Sequence, residues 1–378
     1  MRKMERMEKS ERIERRSLYS IIMIFPFNRL NPLNPFHPSY CLKRASDVQD
    51  LGIYNLTMYP YRMSTFLVSG SIAYDMLLSY DGSFAEGIDT DNLENLSVAY
   101  VTRHLAKHYG GTAANIAWNF KLLNQDVMVA GSVGKDGDEY IDRLKGKDIN
   151  VSCITQKHEH VTPTAIIGTD SNERQITFFH PGADLETEPP ALEAIKDKLS
   201  YVLVSPHSTT SMMQTVSLCQ EHEIPYVFDP GQQILQFSRD DLRRMVDGSN
   251  SVIVNSYEWT MLCDSLEWTQ SDVLEHAGFI VVTHGEHGVG IQTQDESIVV
   301  EAVPTKKLVN PTGAGDAFRA GFVTGLSKGW DIKEAGRLGA TIASFVVECE
   351  GTQLEEFLLD DLYERAEKTY GQKLSSLS

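Results

Sequence analysis

Cysteine is scarce in this chain of 378 residues, and its pattern excludes two classes of protein. The five cysteines are widely spaced and form no CxxC pair. A disulfide framework needs a denser set of cysteines, and a thiolate zinc site needs close pairs. Unpaired thiols of this kind are typical of a reducing compartment, so we expect a cytoplasmic protein.

Long hydrophobic runs are also missing. The most apolar early stretch, "SLYSIIMIFPF" (residues 17–27), is shorter than the ~20 residues that span a bilayer, and no A-x-A-like cleavage site follows it. Alternating charges precede this stretch and repeated prolines follow it. We therefore predict that residues 1–62 are an N-terminal extension, either disordered or an artefact of the gene model. A single domain is predicted over residues 63–371, and a membrane partner is not expected.

Basic residues are outnumbered by acidic ones. The chain has 34 Lys and Arg against 52 Asp and Glu, for a net charge of −18. Residues 1–62 are net basic, so the remainder is more acidic than the total indicates. Nucleic acid is therefore not an expected partner, because phosphate backbones require a basic face. An anionic substrate would need help from backbone dipoles or from Mg²⁺.

Common nucleotide-binding motifs are absent as well. The sequence contains no Walker A pattern, no GxGxxG after a predicted strand, and no HRD with a downstream DFG. Any phosphoryl transfer must therefore use a different architecture.

Short apolar runs alternate with amphipathic segments from residue 66 onward. Runs such as "VMVAGSV", "YVLVSPH" and "SVIVNSYE" predict strands buried on both faces, and "TAANIAWNFKLL" and "DEYIDRLKG" predict helices. This alternation predicts an α/β fold with a doubly wound, mostly parallel sheet flanked by helices. The final stretch, residues 331–371, is predicted to be helical.

Two regions interrupt this alternation. Residues 91–111 and 162–184 are predicted to be strand-rich, the second as a hairpin around "TDSNER". We predict that they build a small β-rich lid, with lid segments near residues 76–111 and 162–184. Such a lid can pair across two subunits or close within one, so a homodimer through the lid is left open.

Polar residues and glycines follow several of the predicted strands. Ligands of open α/β sheets lie beyond the carboxyl ends of the strands, so these residues are expected to meet in one crevice. Turn residues at strand ends are the alternative explanation for any one of them. The residues are Asp75, His207, Asp229, Asn255, Glu258, Thr283 and Gly285.

The stretch "NPTGAGDAFRAGF" (residues 310–322) predicts an anion site. Gly313, Ala314 and Gly315 leave the backbone uncovered just before an apolar helix, whose amino end attracts phosphate. Asp316 is the best candidate for a general base in phosphoryl transfer. The alternative role for Asp316 is that of a helix N-cap.

Four motifs in order resemble the ribokinase-like (PfkB) carbohydrate and nucleoside kinases. "NPTGAGDAFRAGF" is similar to that family's D-T-x-G-A-G-D, and "HYGGTAANIAWNFKLLN" resembles its amino-terminal motif. "VNSYE" matches N-x-x-E and "VTHGEHG" matches T-x-G-x-x-G. The phrases "GSIAYDMLL" and "FFHPGAD" look closest to the microbial adenosine-kinase-like branch of nucleoside kinases.

The resemblance implies an ATP-dependent kinase acting on a nucleoside hydroxyl. Asp316 would be the base, and the backbone of residues 313–316 would be the anion hole. The implied acceptor-binding residues are Asp75, Gly110, Gly111 and Asn115. The implied nucleotide-site residues are Asn255, Glu258, Thr283, Gly285 and Gly288, of which Asn255 and Glu258 would organise Mg²⁺ largely through water.

Several alternatives accompany this interpretation. A sugar kinase of the ribokinase or fructokinase type is the second hypothesis, and a catalytically silent nucleotide or sugar sensor is the third. Phe178, Phe179 and His180 are either an aromatic platform for a base or core packing of the lid. His158 and His160 lack an evident third metal ligand and are expected to be surface residues.

One position departs from the family pattern. Asn310 stands where the pattern usually has aspartate, in a neighbourhood associated with monovalent cations. A neutral amide attracts a cation less than a carboxylate does, so the implied K⁺ activation is in doubt.

Overall fold

The computed structural model describes residues 65–87, 94, 97–172, 174–355 and 357–377. The predicted extension over residues 1–62 lies outside these described residues. Within them, one compact unit comprises residues 78–104 and 167–177, and the other comprises residues 65–77, 105–166 and 178–377. None of the described helices is long and apolar enough to cross a membrane.

Thirteen strands occur in the described part of the chain. They are β1 (Thr65–Ser69), β2 (Ala73–Ser79), β3 (His104–Gly110), β4 (Asp126–Gly134), β5 (Asn150–Lys157), β6 (Thr164–Thr169), β7 (Gln175–His180), β8 (Leu199–Val204), β9 (Tyr226–Phe228), β10 (Ser251–Asn255), β11 (Phe279–Thr283), β12 (Val289–Gln292) and β13 (Ser297–Val300).

Nine α-helices accompany these strands in the described residues. They are α1 (Thr112–Leu122), α2 (Asp138–Gly146), α3 (Thr209–Glu221), α4 (Arg239–Val246), α5 (Ser256–Leu266), α6 (Gln270–His276), α7 (Ala314–Ser327), α8 (Ile332–Val346) and α9 (Leu359–Tyr370).

The larger sheet has nine strands in the order β13-β12-β11-β10-β9-β8-β1-β4-β5. The strand pairs are parallel from β11 through to β5, and the pairs β11–β12 and β12–β13 are antiparallel. The order runs outward in both directions from β1, which lies between β8 and β4. The predicted doubly wound, mostly parallel sheet is confirmed.

Helices cover both faces of this sheet because successive strand residues point to opposite sides. In β1, Phe66 and Val68 join one core with α1, α7 and α8, whereas Leu67 joins a second core with α3, α4, α5 and α6. Phe66 stacks on Phe120 of α1 with the ring centroids 4.2 Å apart. Such a pair contributes about 0.5–1.5 kcal/mol beyond the burial of its surface.

A second sheet has the strand order β3-β2-β6-β7. Its neighbours β6 and β7 are the hairpin strands predicted around "TDSNER". In the other predicted strand-rich region, residues 91–111, only His104–Gly110 is a strand among the described residues. The aromatic side chains of Tyr80, Phe84 and Tyr100 pack together within the smaller unit.

The predicted helix over residues 331–371 is interrupted. Helix α8 ends at Val346 and α9 begins at Leu359, and Gly351 between them has a φ of 77°. A left-handed backbone of this kind cannot continue a helix and favours glycine, so Gly351 keeps the connection non-helical. The non-helical connection contains Thr352 and Gln353, both of which are buried.

Candidate functional site

The helix that carries Asp316 begins on a glycine. Gly313 is the N-cap of α7, with a φ of 86° that disfavours a side chain, and Ala314 is the first helical residue. Asp316 therefore lies on the first turn and does not cap the helix, so the N-cap alternative is wrong. The first amides of a helix lack intrahelical acceptors, which leaves this turn suited to an anion.

The Asp316 carboxylate is held by an asparagine from a distant helix. Asn115 Nδ2 donates to Asp316 Oδ2 over 2.9 Å. Burial raises the pKa of Asp316 to about 7, and the charges of Asp229 and Asp75 act in the same direction, whereas Arg319 and the Asn115 hydrogen bond lower it. A carboxylate poised near neutral pH is suited to accept a proton.

Asn115 is itself fixed by two neighbours from the connection between α8 and α9. Thr352 Oγ1 donates to Asn115 Oδ1 over 2.9 Å, and Gln353 Nε2 reaches the same oxygen over 3.4 Å. Gln353 Nε2 also donates to the Tyr140 hydroxyl over 2.8 Å. The amide oxygen of Asn115 is thereby occupied, which directs its N–H group towards Asp316.

The glycine pair at residues 110 and 111 makes room for the Asp75 carboxylate and for the backbone of Ala73. A Cβ at Gly110 would overlap the Asp75 carboxylate, and a Cβ at Gly111, where φ is 90°, would lie 2.6 Å from Ala73 N. Tyr140 OH donates to Gly110 O over 2.5 Å, which fixes this backbone. Burial raises the pKa of Asp75 to about 6.

Asn255 and Glu258 form a reciprocal capping box at the start of α5. Glu258 N donates to Asn255 Oδ1 over 2.9 Å, and Asn255 N donates to Glu258 Oε2 over 2.8 Å. Desolvation raises the pKa of the buried Glu258, and the positive charge of Arg319 lowers it. The motif predicted for Mg²⁺ therefore has a structural role in addition to any role towards the nucleotide.

The predicted nucleotide loop follows β11. Thr283 ends this strand, and the residues from Gly285 to His287 form a short 3₁₀ turn closed by a 2.8 Å bond from His284 N to Gly288 O. Gly288 requires its glycine, because a Cβ there would overlap Val300 O, while the space beside Gly285 is open. Gly285 has a left-handed backbone with a φ of 59°, and residues 285–287 are exposed.

Comparison with known proteins identifies the family. The model described as pfkB family carbohydrate kinase matches residues 85–356. A nucleoside kinase of Methanocaldococcus jannaschii is 34% identical over 267 residues, which cover 69% of this chain and 86% of that protein. A nucleoside kinase of Methanothermobacter thermautotrophicus is 32% identical over 289 residues, which cover 74% and 91%.

Solved structures agree with this match. The structure of Burkholderia thailandensis nucleoside kinase in complex with inosine has a TM-score of 0.75 and 30% identity, covering 82% of this chain and 100% of that one. A second structure of that protein is in complex with ADP-inosine, with a TM-score of 0.73.

This chain belongs to the pfkB family of carbohydrate kinases. It is a phosphotransferase with an alcohol group as acceptor. The resemblance predicted from the sequence motifs and the predicted fold class are both confirmed.

Other residues singled out in the sequence of this pfkB-family kinase have partners or environments of their own. Phe178 and Phe179 are 69% and 45% exposed, so they are not core packing. His207 is buried, with Nε2 3.1 Å from Ser69 Oγ and Nδ1 3.7 Å from the Asp184 carboxylate. His158 is exposed, His160 pairs with Glu186, and the described residues contain no cluster of three or more His, Cys, Asp or Glu that could hold a metal.

Sequence reasoning missed the groups that surround Asp316. Thr352 and Gln353 lie in a stretch predicted to be helical, and Tyr140 resembles any buried aromatic residue of an amphipathic helix. Arg319 carried a detectable signal, since it is a charged residue inside the apolar run "DAFRAGF" and is only 8% exposed. Charged residues are rarely buried without a partner.

Proposed function

We propose that this protein is an ATP-dependent nucleoside kinase that transfers the γ-phosphoryl group to a hydroxyl of an adenosine-like nucleoside. The observation that carries the proposal is the Asn115–Asp316 hydrogen bond at the first turn of α7. A carboxylate beside a helix amino end combines a base with an anion site. The relatives named nucleoside kinase supply the acceptor class.

In this mechanism Asp316 accepts the proton of the acceptor hydroxyl as the oxygen attacks the γ-phosphorus, and the bond from that phosphorus to the bridging oxygen breaks to release ADP. The backbone of Gly313, Ala314, Gly315 and Asp316 stabilises negative charge on the transferred group. Asp75 accepts hydrogen bonds from hydroxyls of the acceptor, with Gly110, Gly111 and Asn115 completing that wall. Thr283, Gly285 and Gly288 line the nucleotide site.

Mg²⁺ would be held mainly by the ATP phosphates and water. Asn255 and Glu258 offer oxygen atoms, which Mg²⁺ prefers, and Glu258 is the acidic residue of the pair. When bound, the ion neutralises charge on the phosphates. The two side chains would orient its water ligands, and a nearby cation would favour the ionised form of Glu258.

We further propose that K⁺ is not required. Asn310 Oδ1 accepts a hydrogen bond from Thr312 N over 3.0 Å, and Asn310 Nδ2 donates to Gly351 O over 3.4 Å. Both polar groups of the Asn310 amide are thus engaged by backbone groups of the chain. Turnover should be equal in K⁺ and in tetramethylammonium salts at matched ionic strength, and a tenfold or larger loss without K⁺, about 1.4 kcal/mol in barrier, would contradict this.

We also propose a mode of assembly and a cellular location. The exposed side chains Leu105, Ile166, Phe178 and Phe179 lie on strands of the second sheet or beside them and support a homodimer through the lid. Light scattering coupled to gel filtration tests the homodimer. The wild-type protein is expected to be a dimer, and Phe178→Asp is expected to convert it to a monomer.

The four described cysteines are free, which supports a reducing, cytoplasmic setting.

A sugar kinase is the second candidate, because a carboxylate such as Asp75 recognises vicinal hydroxyls on a free sugar as well as on a ribose. ADP formation should be measured with adenosine, inosine, guanosine, cytidine, ribose, fructose and fructose phosphates. A nucleoside is expected to give the highest kcat/KM. A sugar that exceeds every nucleoside would contradict the proposed acceptor.

Asp316→Asn tests the role of the base. It should keep ATP binding and lower turnover by roughly 10²–10⁴-fold, the contribution of a positioned general base. The same Asp-to-Asn change at the exposed Asp295 is the matched control and should leave kcat unchanged. Near-normal turnover in Asp316→Asn would disprove the assignment.

A further inference from the structure

A buried ion pair lies directly behind the candidate anion site. Arg319 Nη2 donates to Asp229 Oδ1 over 2.6 Å, and the exposed fractions of the two side chains are 10% and 2%. Asp229 follows β9, and its backbone N–H donates to Val204 O over 2.9 Å. The pair therefore joins α7 to the strands at the centre of the larger sheet.

The guanidinium points towards the first turn of its own helix. Side chains on a helix lean towards its amino end and cover residues about one turn back. A Cβ on Gly315 would lie 2.7 Å from Arg319 Nη1, which places the guanidinium beside the backbone predicted to bind the phosphoryl group. Glycine at position 315 leaves space for this contact.

Three carboxylates act on this one cation. Desolvation disfavours the charged form of Arg319, but the negative charges of Asp229, Glu258 and Asp316 outweigh it and raise its pKa. These groups come from the residue after β9, from α5 and from α7. Asp75 of β2 also acts on Asp316. Without Arg319, acidic groups would face one another in a poorly solvated region.

An anchor between α7 and β9 would not need this placement. A cation near a helix amino end opposes the helix dipole, and Arg319 Nε is buried with no hydrogen-bond partner among the described residues. Both features cost stability. If Arg319 only anchored the helix to the sheet, an apolar contact at this position would stabilise the fold at least as well as the buried ion pair.

We propose that Arg319, held by Asp229, is a positioning residue for phosphoryl transfer: its guanidinium supports the first turn of α7 and balances the charges of Asp229, Glu258 and Asp316. This inference rests on the proposed function, because it assigns Arg319 to the same site as Asp316. Arg319 acts through Gly315 and Asp316.

The pH profile of kcat distinguishes positioning from anchoring. At saturating ATP and acceptor, Arg319→Gln removes a positive charge and should move the acidic limb of the profile to higher pH by about one unit. Asp229→Asn removes a negative charge and should move the limb to lower pH. Arg319→Lys keeps the charge and should leave the limb within about 0.3 units of the wild-type limb while lowering kcat, because lysine lacks the planar fork.

Opposite shifts support the inference, while unmoved limbs or shifts in the same direction would overturn it. If Arg319→Gln does not fold, as judged by thermal unfolding, the direction of the Asp229→Asn shift decides the question. Asp316→Asn is measured in parallel. If that variant keeps its turnover, the proposed function fails. If Asp316→Asn loses turnover while the acidic limbs of Arg319→Gln and Asp229→Asn do not move, only the proposed role of Arg319 fails.

Discussion

Asn115 and Asp316 are 201 residues apart in the chain, and the side-chain amide of the first donates a 2.9 Å hydrogen bond to the carboxylate of the second. This bond joins the first turns of α1 and α7. It links the glycine-rich stretch that we propose binds the acceptor with the stretch that we propose binds the phosphoryl group. The carboxylate is thereby held in one orientation at the point where the two stretches meet.

The first prediction concerns the pH dependence of the wild-type enzyme. A base acts only when deprotonated, and the pKa of Asp316 is raised to about 7. The value of kcat should therefore fall as pH decreases through about 7 and level off above it. Initial rates of ADP formation between pH 5.5 and 9 test this, and a flat profile over that range would count against Asp316.

The second prediction is that Asn115→Asp lowers activity at neutral pH. It replaces the donor to Asp316 with a second carboxylate, and a like charge at hydrogen-bonding distance raises a carboxylate pKa by about one unit or more. The acidic limb of kcat should move to higher pH. Asn150→Asp, at an exposed position, makes the same chemical change and should leave the profile in place.

The third prediction separates acceptor binding from nucleotide binding. Gly110→Ala should displace the Asp75 carboxylate, because the added Cβ would overlap it. We expect KM for the nucleoside to rise about tenfold or more, equivalent to at least 1.4 kcal/mol, with KM for ATP changed less than about twofold. Gly146→Ala adds the same methyl group where no atom beyond its chain neighbours and the backbone of its own helix lies within 4 Å, and should change neither constant.

The fourth prediction concerns stability. Helices α7 and α8 pack closely at Gly339, where a Cβ would lie 2.7 Å from Phe318 O and 2.8 Å from the nearest atom of its ring. Gly339→Ala should cost about 1–3 kcal/mol through overpacking. The melting temperature of Gly339→Ala should be lower than that of Gly146→Ala. Equal melting temperatures would contradict the prediction, because α7 and α8 would then accommodate the added methyl group with no loss of stability.

The sequence predicted the layers of the fold well because they follow local rules. Continuous apolar runs predict strands that are covered on both faces. The helix at Ala314 begins within "TGAG", whose small residues leave the backbone uncovered. The prediction of helix throughout residues 331–371 was wrong, because the connection between α8 and α9 contains Gly351, whose left-handed backbone is not visible in the apolar periodicity of that stretch.

The neighbours of Asp316 were harder to predict than Asp316 itself. Thr352 lies 237 residues from Asn115, and Asp229 lies 90 residues from Arg319. The spacing of residues along the chain does not predict such long-range hydrogen-bond partners, because their meeting depends on the order of strands in the sheet. Arg319 was the exception, because a charged residue in an apolar helix predicts a buried partner of opposite charge. The sequence does not indicate which residue that partner is.

The cluster around Asp316 also bears on how activity arises during folding. Its members come from the two ends of the described chain and from its middle, so they meet only when the most distant segments have docked. Loop closure over such separations is slow relative to local helix formation. After dilution from denaturant, phosphotransfer activity should therefore recover more slowly than the helical circular dichroism signal. Activity then reports the last stage of folding, when the distant segments have docked.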